Sequence, residues 1–212
     1  MENLKGNIEE TFDFLNHFYA LKEIEREGWK RKLVIKNVES VAEHTLSMIA
    51  IITLFADRNN FTPSKTLKMI KMILLHDLGE SIIGDHTPDS IKIEEKKKIE
   101  NNAIAKIISK IPFTEIKNKY IKIWEEFDEN KTEISKLVHI FDKLDLMIQA
   151  KYYLDNNNKK VNEKDIKPFF ESATRYINNN KLRIEKKKDF TIDSRNTGID
   201  NEIEQILLYL NN

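Results

Sequence analysis

Along most of the chain, apolar residues recur at intervals of three and four positions, and few segments alternate as β-strands do. That spacing gathers apolar side chains on one face of an α-helix. The sequence has only five Gly and four Pro residues, the types that most often interrupt helices. The sequence therefore predicts an all-α fold, with helices at about 8–27, 40–58, 63–79, 90–110, 113–127, 131–155, 163–179 and 199–211.

Two helix starts carry capping signals. Ser40 stands three residues before Glu43, as in a capping box, and Thr62 precedes Pro63 as an N-cap precedes proline at the first helical position. Loops are predicted at 84–88 and 155–160. Residues 181–198 are polar and aperiodic, so we expect one domain at 1–180, followed at 181–212 by a polar connection and a C-terminal helix.

The composition argues against several classes of protein. Hydrophobic residues make up 40%, enough for a core, and the 35 basic residues balance 35 acidic ones, which disfavours a nucleic-acid partner. The absence of cysteine removes disulfides, thiolate zinc sites and cysteine nucleophiles. The N-terminus lacks the apolar core of a signal peptide, and no apolar run reaches the length of about 18 residues that suggests a membrane span. We expect a cytoplasmic protein without a membrane partner.

A histidine interrupts the apolar stripe of the helix that begins near Ser40. Val41, His44, Met48 and Phe55 share one face of this helix at steps of three and four. The side chain of His44 therefore points where core residues point. On its own, this position is more typical of a hydrogen-bonded core histidine than of a metal ligand.

The next helix ends in a second polar interruption. An almost unbroken apolar run over residues 68–75 leads directly into His76 and Asp77. Because an unpaired buried carboxylate is very costly, Asp77 needs a strong partner. A lysine would satisfy it, but a metal ion explains both residues together. Their side chains diverge by about 100° on a helix and can still reach one ion between them.

A third polar set lies on the helix predicted at 131–155. Asp142 and Asp145 share a face with Val138 and Gln149 and have apolar neighbours. Either aspartate could be a ligand, with the other contacting a ligand or the substrate. Each could also simply pair with a basic residue, and Lys143 is close in sequence.

This donor set is typical of a catalytic metal site. Imidazole nitrogens with carboxylate oxygens suit transition metals better than calcium. Four protein ligands on an ion that prefers six leave room for water and a substrate oxygen, and the ion can polarise a phosphoryl group and acidify a water. Glu80, one turn after His76, could deprotonate that water or could be a surface glutamate at a helix end.

The order of these residues resembles that of the HD-domain metal-dependent phosphohydrolases, in which a lone histidine, a His-Asp pair and a later aspartate bind the metal. The matching segments are SVAEHT, LLHDLGE and FDKLDLMIQA. Two further segments, HDLGESIIGDHTP and GWKRKLVIKNVESVAEH, are similar to the 5′-deoxynucleotidase branch of that family. The resemblance covers about residues 12–179, and the C-terminal tail lies outside it.

The resemblance implies an HD-domain helical bundle whose metal ligands are His44, His76, Asp77 and Asp142. It selects Asp142 over Asp145, because the family's aspartate heads an Asp-x-x-acid-x-x-x-Gln-Ala stretch. The metal would be a divalent cation, with manganese, cobalt, iron, zinc and magnesium all open.

The resemblance also implies substrate contacts. Glu80 and Asp85 would be catalytic or would orient the substrate. Trp29 and Arg31 would lie near the sugar and the phosphate, although the spacing from Trp29 to His44 is one residue longer than usual, so Lys32 competes with Arg31.

The implied activity is hydrolysis of deoxyribonucleoside 5′-monophosphates to deoxynucleosides and phosphate, by an enzyme that forms a homodimer. Within the same class, a cyclic dinucleotide or a triphosphate is an alternative substrate. In a different class, the domain would be a non-catalytic sensor that retains its metal. Intact Glu80 and Asp85 favour the enzyme, because a structural ion does not need them.

Overall fold

A computed structural model describes residues 2–86, 93–156, 160–180 and 199–210. Regular structure in these ranges is helical, apart from an isolated antiparallel bridge between Glu25 and Ser40, which confirms the predicted all-α class. The helices are α1 (Glu2–Ala20), α2 (Glu27–Lys32), α3 (Val41–Arg58), α4 (Pro63–His76), α5 (Glu80–Ile83), α6 (Ile93–Ser109), α7 (Thr114–Glu129), α8 (Glu133–Asn156), α9 (Glu163–Asn179) and α10 (Ile199–Leu210). A 3₁₀ turn covers Leu21–Glu23.

Both predicted helix starts are confirmed. The Ser40 hydroxyl accepts a hydrogen bond from the backbone N–H of Glu43, and the Glu43 carboxylate accepts one from the backbone N–H of Ser40. Thr62 caps α4 through Lys65 N–H, with Pro63 as the first helical residue. These caps satisfy backbone donors that a helix leaves unpaired, so they fix where α3 and α4 begin.

The prediction of one helix over residues 8–27 is wrong. The chain leaves α1 at Ala20, turns, and runs extended before α2. In the extended part Val41 N–H donates to Ile24 O at 2.8 Å, and Arg26 N–H donates to Glu39 O at 2.9 Å. This backbone pairing with a segment far along the sequence replaces helical hydrogen bonds, and it carries Arg26 to the start of α3.

The helix predicted at 63–79 also ends earlier, at His76. Asp77 adopts φ −110° and ψ 10°, outside the helical region, and a short turn then leads into α5. Two polar residues therefore stand at a break between helices, where their side chains are not confined to one helical face.

The core is organised around α3, which packs against both α4 and α8, while α8 packs along α9. A larger apolar cluster fills the space between these helices and α10, and a smaller one joins α1, α6 and α7 to the ends of α3 and α4. The side chains of His44 and Asp145, on α3 and α8, lie buried between these helices.

The last helix packs on the main body. Ile203, Leu207 and Leu210 of α10 are buried in the larger cluster, and Glu202 binds Arg58 at 3.0 Å and Asn59 at 2.9 Å. The polar connection predicted at 181–198 lies outside the described residues, as does part of each predicted loop. Since α8 runs to Asn156, the loop predicted from residue 155 begins later than expected. No helix in the described ranges has the length and apolar character needed to cross a membrane.

Candidate metal centre

His44 lies at the centre of the site, on α3, with no exposed surface. Its Nε2 atom is 3.2 Å from Nε2 of His76 and 3.4 Å from Oδ1 of Asp142. The apolar stripe that surrounds His44 on α3 faces α4 and α8, and these two helices supply His76 and Asp142. Three elements that are distant in sequence thus bring their polar residues to one point.

The orientation of His76 is set by a backbone carbonyl. Its Nδ1 atom donates to Ile73 O at 2.6 Å, so its Nε2 atom is free of a proton in the neutral ring and faces the centre. Asp77 follows at the end of α4, with Oδ2 at 3.0 Å from His76 Nε2 and 3.8 Å from His44 Nε2. The four predicted ligands therefore converge.

The arrangement fits a cation. The Nδ1 atom of His44 faces Asp145 Oδ2 at 2.7 Å and donates to it, so in the neutral rings both Nε2 lone pairs point at each other across 3.2 Å. Two lone pairs beside two carboxylates repel unless positive charge lies among them. The donor atoms of His44, His76 and Asp142 lie within 4.8 Å of one another, which suits a shared ion.

The groups around His44 also stabilise positive charge on its ring. Burial and the charge of Arg26 lower the pKa of His44, but its hydrogen bonds to Asp142 and Asp145 outweigh them and raise that pKa to about 9. Burial alone would raise the pKa of Asp142, yet Lys143 and His44 hold it well below its usual range. The site thus favours a positive charge surrounded by ionised carboxylates.

The two aspartates of α8, which spacing could not separate, occupy different positions. Asp145 is 2% exposed and binds the Nδ1 side of His44, away from the other donors. Asp142 has a 17% exposed side chain and turns Oδ1 toward the Nε2 side. A carboxylate on the far nitrogen of a metal-binding histidine orients the ring and raises its basicity.

Two basic residues border the centre. The sequence had offered Lys143 as a possible partner of Asp142 or Asp145, whereas Arg26 was not considered. Arg26 Nη1 donates to Asp77 Oδ2 at 3.0 Å, and Lys143 Nζ donates to Asp142 Oδ2 at 2.7 Å. Burial would raise the pKa of Asp77, but His76 and Arg26 depress it. Arg26 lies three residues before Trp29, just ahead of the matching segment that begins at Gly28.

Glu80 and Asp85 lie on the same side as Arg26. Glu80 is buried at the start of α5, and its charge acts on Arg26. Asp85 Oδ2 accepts a hydrogen bond of 2.6 Å from the backbone N–H of Glu27, the residue that follows Arg26. Asp85 therefore holds the beginning of α2 in place.

The residues predicted to contact the sugar and the phosphate, Trp29 and Arg31, are not exposed at the metal centre. Trp29 is 1% exposed, donates through Nε1 to Glu39 Oε1 at 2.7 Å, and packs on the ring of Phe169. Arg31 points outward and binds Glu27 at 3.1 Å, while Lys32 lies over the Phe169 ring. Arg26 is the arginine that lies against the predicted ligands.

A buried polar residue, Glu39, lies behind the metal centre. Glu39 is held by Trp29 and donates its backbone N–H to the Tyr153 hydroxyl at 2.7 Å. Burial and the neighbouring Asp145 raise the pKa of the Glu39 carboxyl. Glu39, His44 and Asp145 form a second group with ligand-type atoms in mutual reach, on the side of His44 opposite Asp142.

A helical fold around such a His, His-Asp and Asp set defines the HD-domain class. The sequence pattern described as "HD domain" matches residues 18–184. The chain belongs to the HD-domain family, so the family predicted from the sequence motifs is confirmed.

Named relatives and solved structures agree with this assignment. The chain is similar to 5′-deoxynucleotidase HDDC2 of Dictyostelium discoideum, at 35% identity over 159 residues, covering 72% of this chain and 82% of the relative. It is 33% identical to the mouse (Mus musculus) 5′-deoxynucleotidase HDDC2 over 149 residues, covering 69% and 71%. A conserved hypothetical protein from Pyrococcus furiosus has a similar structure, with a TM-score of 0.62 and 26% identity, over 92% of this chain and 99% of that one.

Proposed function

We propose that this protein is a metal-dependent phosphohydrolase that converts deoxyribonucleoside 5′-monophosphates to deoxynucleosides and phosphate. The observation that carries the proposal is the convergence of two imidazole Nε2 atoms and two carboxylates on one point, with Arg26 at its edge. The 5′-deoxynucleotidase names of the relatives support the substrate class.

His44, His76, Asp77 and Asp142 would hold the divalent metal. The ion supplies Lewis acidity toward a phosphoryl oxygen and lowers the pKa of a coordinated water. The mixed nitrogen and oxygen donors favour manganese, iron, cobalt or zinc, and magnesium is also compatible with the carboxylates. Asp145 keeps the His44 ring turned so that Nε2 faces the ligands.

The remaining residues bind the substrate and move the proton. Arg26 donates hydrogen bonds to the phosphate. Its guanidinium lies at the edge of the centre, where it binds the carboxylate of Asp77, and a guanidinium binds phosphate strongly. Glu80 accepts the proton of the attacking water as the new P–O bond forms and the bond between phosphorus and the ribose 5′-oxygen breaks. The leaving 5′-oxygen takes up a proton from solvent, and Glu80 releases the proton it accepted to solvent. Asp85 holds the first residue of α2 and so positions Arg26 beside it.

The preference for deoxyribose is proposed from the relatives, not from an exposed side chain. Trp29 was expected to lie near the sugar, but its indole is 1% exposed. A direct sugar contact therefore requires this wall of the site to open when substrate binds. Otherwise Trp29 acts as a packing residue that holds Glu39.

A nucleotide panel tests the proposed function. We expect metal-loaded protein to hydrolyse dAMP, dGMP, dCMP or dUMP with kcat/KM roughly 5- to 150-fold above the matching ribonucleotides, the range expected for steric exclusion of one hydroxyl. The panel should be run with manganese, cobalt, zinc and magnesium. The control His76→Ala should lose tight metal binding and turnover together.

The panel also separates the alternatives. Equal kcat/KM values for AMP and dAMP would end the deoxynucleotidase proposal and leave a metal-dependent phosphohydrolase. Turnover confined to a cyclic dinucleotide or a triphosphate would identify the other substrate class. Tight metal binding without turnover of any member would favour the sensor.

We also propose that the protein is a homodimer. Four apolar side chains, Ile8, Phe12, Leu15 and Tyr19, are 40–63% exposed and follow one another along α1 at steps of three and four. A continuous exposed apolar stripe is typical of a protein interface. Light scattering should give twice the chain mass of 25.0 kDa, and a monomeric mass at micromolar concentration would refute the dimer.

A further inference from the structure

Lys143 shares a carboxylate with the metal centre. Its Nζ atom donates to Asp142 Oδ2 at 2.7 Å, while Asp142 Oδ1 lies 3.4 Å from His44 Nε2. One oxygen of Asp142 therefore faces the predicted ligands and the other faces the ammonium group. Any molecule that binds beside Asp142 at this centre is also a neighbour of Lys143.

The ammonium group is held in place but has donors to spare. Its Nζ lies 5.7 Å from the centre of the Tyr176 ring, and the side chain is 33% exposed. Across the part of the chain that the structure describes, Asp142 is the hydrogen-bond partner of Lys143. An ammonium group has three N–H donors, so two remain for a ligand or for water.

A lysine at this position does not assist metal binding. A cation that binds a ligand carboxylate withdraws charge from it and competes with the metal for the same electrons. Arg26 also binds a predicted ligand, but it donates to Asp77 Oδ2 at 3.0 Å, the same oxygen that lies 3.0 Å from His76 Nε2. Each of the two carboxylates thus has a basic side chain bound to it at the edge of the centre, which is the arrangement expected if the two cations bind an anion.

The local charge matches a phosphomonoester. A divalent ion neutralises the carboxylates of Asp77 and Asp142, and the two imidazoles are neutral when they bind metal. Arg26 and Lys143 then add two positive charges among these six groups, while the neighbouring acids Asp145 and Glu80 lie on the far nitrogen of His44 and beside Arg26. A phosphomonoester carries about two negative charges near neutral pH, whereas a diester carries one.

We propose that Lys143 is a second phosphate-binding residue, which contacts the phosphate of the substrate from the Asp142 side while Arg26 contacts it from the Asp77 side. This inference rests on the proposed phosphohydrolase function of the same site and assigns it a preference for dianionic monoesters. Lys143 would act on binding of the phosphate and not on binding of the metal.

Two titrations on the purified full chain test this role without using turnover. Manganese is first titrated into metal-free protein, and inorganic phosphate is then titrated into the manganese-loaded protein, both by calorimetry. Lys143→Met should bind manganese as tightly as the unmodified protein or more tightly. Its dissociation constant for phosphate should rise about tenfold, the size expected when a charge-assisted hydrogen bond is lost.

Two further variants make the test specific. Lys143→Arg should keep phosphate affinity within about threefold, because the positive charge remains. Lys151→Met is a matched control, since Lys151 also lies on α8 and pairs with Asp155 at 3.0 Å. This control should leave both dissociation constants unchanged.

Three results would overturn the proposal. These are unchanged phosphate affinity in Lys143→Met, a tenfold or larger loss of manganese affinity in that variant, or an equal loss of phosphate affinity in Lys151→Met. The nucleotide panel tests the proposed substrate separately from these titrations. If phosphate binding depends on Lys143 while dAMP is not hydrolysed, the proposed substrate is wrong and the phosphate site stands.

Discussion

The two sides of the His44 ring are built from similar residues but differ in access to solvent. On the inner side, defined here as Glu39 and Asp145, the acids are 7% and 2% exposed and bind Trp29 and the His44 ring. On the outer side, defined as Asp77 and Asp142, the side chains are 21% and 17% exposed, and each has a basic partner.

The difference in exposure implies a difference in role. A fully buried carboxylate must have its partners within the protein, because an unsatisfied one costs several kcal/mol. Asp145 can therefore orient His44 but has no path to a substrate. The outer acids can exchange their partners for an ion and a phosphate, so binding and chemistry belong on that side.

The largest effect is expected when the site loses the proposed proton acceptor, Glu80, which lies beside Arg26 and Asp77 of the outer side. Glu80→Gln should retain the metal and lose roughly 10²–10⁴-fold in kcat, the range typical of general acid–base groups. The amide has nearly the same shape as the carboxylate but does not accept the proton of the attacking water. Steady-state kinetics on dAMP and metal analysis of the same sample measure both quantities.

Glu95→Gln is a suitable control, because Glu95 is an exposed acid on α6. It should leave kcat and metal content unchanged. If Glu80→Gln loses the metal along with activity, Glu80 is a ligand, and the outer side has a different composition from the one proposed.

Many of the candidate site residues could be named from the sequence, because helical periodicity predicts which side chains face the core. His44 stood out as a polar residue on an apolar stripe, and His76 with Asp77 ended an apolar run. Helix α3 was predicted nearly to the residue, since its cap and its apolar spacing act locally.

Arg26 was missed because its position depends on a contact that periodicity does not encode. The break after α1 is fixed by backbone pairing of Ile24 and Arg26 with Glu39 and Val41. Without that pairing, the local sequence continues as a helix, and Arg26 becomes one more surface residue. Arg31, in competition with Lys32, was named from the family resemblance, yet it binds Glu27 at the surface.

Sequence spacing likewise could not distinguish the roles of Asp142 and Asp145. Residues three apart on a helix share a face, so both were expected near the centre. What separates them is the orientation of the His44 ring, which places Nδ1 toward one acid and Nε2 toward the other. That orientation depends on three helices packing together, and no single segment specifies it.

A smaller effect is expected on the inner side. Asp145→Asn keeps the size of the side chain and an oxygen that can accept from His44 Nδ1, but it removes the negative charge. We expect manganese affinity to fall roughly 10- to 100-fold, as for other groups that support a metal-binding histidine. Calorimetry on metal-free protein measures this directly and does not depend on turnover.

Asp155→Asn serves as the matched control, because Asp155 lies on α8 far along the helix and pairs only with exposed Lys151 among the described residues. Its manganese affinity should equal that of the unmodified protein. An Asp145→Asn protein that binds manganese normally would show that packing alone orients His44, and the division between inner and outer sides would lose its basis.

The smallest expected effect concerns a histidine next to the centre that takes no part in either side. His139 stacks on Phe127 with ring centres 4.2 Å apart, and its Nε2 atom donates to Phe127 O at 3.1 Å. The other edge of Phe127 meets the ring of His76. His139 therefore supports the wall behind His76 and is absent from both ligand-type groups of the described chain.

Burial lowers the pKa of His139 below the usual value of 6.5, although its bond to the Phe127 carbonyl opposes the shift. The unfolded chain then binds a proton more readily than the folded one, so this contribution to stability is complete above pH 6.5 and declines as the pH falls toward the folded-state pKa. In metal-free protein, His139→Gln should lose less unfolding free energy than the unmodified chain between about pH 7.5 and about pH 5.5, as measured by urea denaturation. Equal losses would mean that His139 does not contribute to the pH dependence. A smaller loss of unfolding free energy in the variant would show that protonation of His139, which packs behind His76 and is not a predicted ligand, contributes to the pH dependence of stability.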